Sequence, residues 1–139
     1  MEMYELILKH LASQQEMSLS IEVDEAETTE NIIIRALINE QEVMISDYNY
    51  FPAFQKFRDK ILLLGYGIKC AGSLPNAVQS NMMCATDKVY LVEIGKQAEF
   101  KNIVHIWDYA ELSNFPSTKQ QNDFFEKWVN SLNLSLYAK

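Results

Sequence analysis

The chain is poor in the residues that bend, staple or open a fold: its 139 residues include 4 glycines, 3 prolines, 2 cysteines and 2 histidines. So little Gly and Pro excludes a collagen-like or low-complexity segment, and an apolar content of 48% places the chain among globular domains. Cys70 and Cys84 belong to no Cys-x-x-Cys arrangement, which removes zinc ribbons and dithiol redox pairs. With His10 and His105 far apart, ligands for a clustered metal site are lacking, and neither metal nor cofactor is expected. Apolar runs such as Ile32–Ile34 and Ile61–Leu64 fall far short of the roughly 18 residues that a membrane-spanning helix needs. The opening Met1-Glu-Met-Tyr-Glu5 is acidic where a secretory leader is basic, so a cytoplasmic protein with reduced thiols is expected. Positive charge is scarce too. Twelve Lys and Arg against nineteen Asp and Glu leave a net charge of −7, which repels nucleic-acid phosphate and anionic membranes and favours a basic protein partner.

A chain of this length makes one domain, taken here as residues 1–139. Tyr4, Ile7, Leu8 and Leu11 recur at helical spacing, which predicts a helix from Glu2 to about Gln15. Leu19, Ile21 and Val23 then alternate with Ser20, Glu22 and Asp24, the pattern of a strand with one wet, acidic face. After a polar connection to Glu30, Ile32–Ile38 reads as a strand buried on nearly both sides. A turn at Asn39-Glu40-Gln41 leads to a third strand, Val43–Tyr48, completing an antiparallel meander. Pro52 opens the next helix, with Phe54, Phe57, Ile61 and Leu64 as its apolar stripe, Gly65 as a left-handed stop and Gly67 as a turn. A short strand from Gly67 to Ala71, an irregular stretch from Gly72 to Asp87, and strands at Val89–Ile94 and Ile103–Tyr109 follow. Ser117 or Thr118 caps a last helix striped by Phe125, Trp128, Val129 and Leu132, and Leu132–Tyr137 reads as an edge strand. The expected fold is α+β: a largely antiparallel sheet of five to six strands with about three helices packed on it.

The charge is unevenly spread. Residues 1–50 carry −9 and residues 51–139 carry +2, and between Lys9 and Arg35 there is no cation at all. Glu22, Asp24, Glu25, Glu27 and Glu30 therefore make a concentrated acidic patch, with Asp47, Tyr48 and Tyr50 close behind as interface material. A merely solvated face explains such a run as well. Calcium does not fit, because Asp24–Glu30 lacks the glycine and register of an EF-hand loop. The alternatives are a small cytosolic enzyme using a cysteine nucleophile, or an acidic interaction adaptor. The enzyme would need Cys70 or Cys84 beside His10 or His105, with Asp108 orienting the ring. His105, inside the apolar run Ile103–Trp107, reads more simply as a half-buried side chain, and no enzyme is expected.

The stretch Phe54-Gln-Lys-Phe-Arg-Asp-Lys-Ile61, with Gly67-Ile-Lys-Cys-Ala-Gly-Ser73, Gln79-Ser-Asn-Met-Met83, Lys88-Val-Tyr-Leu-Val92, Gly95-Lys96 and Ile106-Trp-Asp108, resembles small bacterial immunity proteins. These are encoded beside contact-dependent growth-inhibition and Rhs-type polymorphic toxins. Phe125-Glu-Lys-Trp128 resembles their final helix, and the likeness covers about half the chain. It departs at Ser73–Met83, where the family pattern has a more charged segment ending in a Ser-Gly-Met turn and this chain has Ser80-Asn-Met. The resemblance implies a stoichiometric inhibitor of a cognate C-terminal toxin domain, a basic nuclease whose cationic cleft an acidic protein would cover.

Overall fold

The computed structural model describes residues 1–26 and 31–137, with side chains as far as residue 133. Glu27 and Glu30, two of the expected contact residues, lie outside the described residues. Strands β1 (Glu2–His10), β2 (Glu16–Glu25), β3 (Ile32–Ile38), β4 (Gln41–Asp47) and β5 (Tyr66–Ile68) form an antiparallel sheet in the order β4-β3-β2-β1-β5. Helix α1 (Tyr50–Leu63) joins β4 to β5 and packs on one face of this sheet. A smaller antiparallel sheet, β6 (Ala77–Val78), β7 (Lys88–Leu91) and β8 (Ile103–His105), precedes helix α2 (Thr118–Tyr137). The α+β expectation holds, with two α-helices among the described residues rather than three. No helix among the described residues is long and apolar enough to cross a membrane.

The helix expected at Glu2–Gln15 is instead β1. Tyr4, Leu6 and Leu8 also satisfy a period of two, and it is this set that faces the core, with Leu6 and Leu8 buried. Ile7, which suggested helical spacing, lies on the opposite face and is half-buried there. The strands expected at Val89–Ile94 and Ile103–Tyr109 do not join the one sheet expected but form a separate small one with β6, and they are shorter: β7 ends at Leu91 and β8 at His105. The expected strand at Leu132–Tyr137 is the last part of α2.

Glycine and turn chemistry fix the remaining path. Gly65 stands just past α1 with φ +97°, the left-handed stop that its position suggests. Gly67 is no turn. It lies within β5, where a Cβ would collide with the Phe115 ring, so the strap leading to α2 crosses the sheet edge at its only side-chain-free position. The β3–β4 hairpin closes through Asn39 and Glu40, whose φ values of 49° and 68° define a two-residue turn of the type that suits the right-handed twist of its strands.

The core lies between the sheet and α1. Phe54, Phe57 and Ile61 are fully buried against Leu6, Leu8, Ile21, Ile34 and Val43. Each such side chain contributes roughly 1.5–3 kcal/mol by leaving water. On the other side of α1, Arg58 is also fully buried. Its guanidinium donates to Asp59 at 3.0 Å, Thr118 at 3.1 Å and Gln121 at 2.8 Å. Gln121 in turn accepts from Gln55 and donates to the carbonyls of Gly72 and Leu74. One polar network thus ties α1, α2 and the segment after β5 together. The segment from Gly72 to Asp87 is organised by Gln79, whose amide donates to the carbonyls of Met83, Thr86 and Lys88.

Glu40 is the strained point of the β3–β4 turn, since a Cβ at positive φ costs about 1 kcal/mol that glycine avoids. Glu40→Gly is expected to raise the thermal midpoint by about 3 °C, read by calorimetry, and an unchanged or lower midpoint contradicts the turn assignment.

Candidate functional site

The sheet has two faces and α1 covers one. On the other face, the odd residues of β1 and β3 lie beside the even residues of β2 and β4, and among the described residues no helix packs there. One row runs Met3, Glu22, Arg35, Met44 across four strands. Glu5 stands opposite Ser20, Lys9 opposite Glu16, Asp24 opposite Ile33, and Leu37 opposite Glu42. This face therefore carries five carboxylates, those of Glu5, Glu16, Glu22, Asp24 and Glu42. Arg35 directs its Nε to the Met44 sulfur at 3.4 Å rather than to Glu22 opposite. Met3, Leu37 and Met44 are each more than half exposed between the charges. A shallow hollow bounded by Met3, Ser20, Glu22, Arg35, Leu37 and Glu42 marks the middle of the face.

Local hydrogen bonding favours the charged form of Glu5. The hydroxyls of Ser20 and Ser18 donate to Glu5 and hold its carboxyl below the usual range. Asp24 lies 3.8 Å from the terminal ammonium. At the β5 edge the face is closed by Lys69, 3% exposed, which is paired with Glu111 and Glu16. Those carboxylates raise its ammonium above the ordinary lysine value.

The structure splits the expected contact residues between two surfaces. Glu22 and Asp24 share the open face. Glu25 and Asp47 have the other parity and sit on the core side, where the sheet runs out beyond α1. There the Tyr50 hydroxyl donates to Glu25 at 2.7 Å, and burial together with that carboxylate raises the phenol pKa. Burial pushes Asp47 upward, but Lys56 at 2.9 Å and the Tyr48 N–H bring its carboxyl below the usual value. Tyr48 is 73% exposed. Tyr50 is therefore a half-buried bracing group, whereas Tyr48 is free to touch a partner.

A second cluster at this rim has little sequence signal. Asp87 accepts from Trp107 Nε1 at 3.1 Å and lies 3.0 Å from His105 Nδ1, while Tyr4 stacks on Trp107 with ring centroids 5.0 Å apart. These residues join β1 to the second sheet. Their roles are visible only once strands distant in sequence are adjacent; Ile106-Trp-Asp108 was the single local hint.

Cys70 is fully buried, and burial raises its thiol to about 11 despite the Ser73 contact, so at neutral pH it carries almost no thiolate. Cys84 is exposed on the turn after Met83. His10 bonds to Ser13, and His105 to Asp87. A thiol-reactive probe at neutral pH should add one label to the native protein, at Cys84, and a second only after denaturation. Rapid double labelling of the folded chain would contradict the placement of Cys70. Compared with known proteins, the chain matches no family model and no curated protein.

Proposed function

We propose that the chain is an immunity protein, a stoichiometric inhibitor that binds a basic toxin domain, of nuclease type, through the open face of its large sheet. The observation that carries this reading is the face itself: five carboxylates at strand spacing with exposed Met3, Leu37 and Met44 between them and, among the described residues, no helix covering them. Strand spacing holds such charges in a fixed array, and five carboxylates against Lys9 and Arg35 leave an excess of negative charge that attracts a cationic cleft from a distance and speeds its docking. The apolar side chains within the array supply the area that a charged rim alone does not. Resemblance of the Phe54–Asp108 stretch to immunity proteins supports the same reading from independent residues. Glu22 and Asp24 remain the leading contacts, Glu5 and Glu42 join them, and Glu25, Asp47 and Tyr48 extend the surface around the rim. In this reading the chain does no chemistry and acts in the cytoplasm, where the incoming toxin arrives.

The test is titration calorimetry with the toxin domain encoded beside the gene. The variant Glu5→Gln/Glu22→Gln/Asp24→Asn keeps the hydrogen-bonding shape of each side chain and removes three charges. It is expected to bind about tenfold or more weakly at low salt, to show a flatter dependence of affinity on ionic strength, and to unfold at a midpoint near that of the parent. Equal affinity and an equal salt slope would move the interface off this face.

A further inference from the structure

Strand β4 is an outer strand of the five-stranded sheet, and nothing among the described residues pairs with its free side. The two-residue turn at Asn39-Glu40 makes Ile38 and Gln41 the closing hydrogen-bonded pair, so Gln41, Val43, Ile45 and Asp47 turn their backbone groups toward β3. Glu42, Met44 and Ser46 consequently turn their N–H and C=O groups outward. Sheet edges are commonly guarded by proline, lysine, a bulge or a covering element. Gln41-Glu-Val-Met-Ile-Ser-Asp47 has neither proline nor lysine, its register to β3 is unbroken over all seven residues, and α1 contacts the sheet from the core side.

The geometry points to a second copy of this chain as the occupant of that edge, paired antiparallel with β4 about a two-fold axis through Met44 and normal to the sheet. The sequence is complementary to itself in this register, which also gives the longest ladder. Centring on Met44 pairs the whole strand: Glu42 meets Ser46, Gln41 meets Asp47, Val43 meets Ile45, and the exposed Met44 meets its twin. Each carboxylate then faces a neutral hydrogen-bonding side chain, and no acid opposes an acid. Centring on Val43 or on Ile45 shortens the ladder. Three pairs with outward backbone groups supply about six inter-chain hydrogen bonds. The axis leaves both open faces on the same side of a continuous sheet of ten strands, so pairing enlarges the acidic surface instead of covering it. This pairing does not depend on the inhibitory reading, which a monomer could satisfy equally well.

Because each copy carries −7, association between copies should tighten as salt rises, the opposite of binding to a cationic partner. The experiment is sedimentation equilibrium of the full chain over a wide concentration range, with Ser46→Glu and Ser46→Lys compared with the parent. Position 46 is exposed, so both variants should unfold near the parent's midpoint. In the proposed register Ser46→Glu sets a carboxylate against Glu42 twice per dimer and should weaken association about 2- to 30-fold, while Ser46→Lys should tighten it by a similar factor. A parent chain that stays monomeric at every concentration overturns the proposal. So does a dimer whose affinity is the same in both variants, or changes in the same direction.

Discussion

The shape of this molecule follows from a shortage of cover. A five-stranded sheet has two faces to satisfy, and a chain of 139 residues with two α-helices commits only α1 to the large sheet, because α2 is held against α1 and β6. One face becomes core, with Leu8, Ile21, Ile34 and Val43 excluded from water under Phe54 and Phe57. The other must live in solvent, and alternation along each strand makes it polar. What physics leaves open is the sign of that polarity. Here it is negative, and the carboxylates stand on strands whose spacing the core fixes from behind. A surface built in this way is rigid before any partner arrives, which limits the entropy lost on binding.

The buried Arg58 network plays a different part. A guanidinium removed from water is costly unless its donors are met; here Nε meets Asp59 and Nη2 meets Thr118 and Gln121, while Nη1 is buried without a hydrogen-bond partner among the described residues and the Phe54 ring lies 5.8 Å from the central carbon. Burial lowers the Arg58 pKa and Asp59 opposes that shift, so the group remains charged in the interior. Every partner comes from a specific place: α1 itself, the start of α2, and through Gln121 the carbonyls after β5. The network therefore selects one packing of α2 among the many that a hydrophobic stripe alone would allow.

Much of this was legible in the sequence where local pattern and tertiary environment agree. The run Ile32–Ile38 is a strand as expected, although its odd face, expected to be buried as well, is open with Leu37 64% exposed; the stripe Phe54, Phe57, Ile61 has one consistent period, and Gly65 has a physical reason to stop a helix. The alternation of Glu22 and Asp24 against Ile21 and Val23 gave the open face its first two acids. Failures came where two periods compete. Glu2–His10 satisfies helical spacing through Ile7 and strand spacing through Tyr4, Leu6 and Leu8, and only pairing with β2 and β5 decides between them. That misassignment hid Glu5 as a member of the face. Residue runs also mislead about surfaces: Glu25 follows Asp24 directly, yet a strand sends neighbours to opposite sides, so a contiguous acidic stretch divides into two. The Asp87, Trp107 and Tyr4 cluster is a product of non-local pairing and had no periodic signature to find.

The central claim is that the open face of the large sheet is where a cationic protein docks. Methionine methyl groups report on it directly, because Met3 lies in that face beside Glu22, while Met82 is 95% exposed on a turn outside the large sheet. In methyl NMR of methionine-labelled protein titrated with the toxin domain, the account predicts that the Met3 signal shifts or broadens and that of Met82 does not. A titration that moves Met82 and leaves Met3 untouched, at saturating toxin, would contradict it.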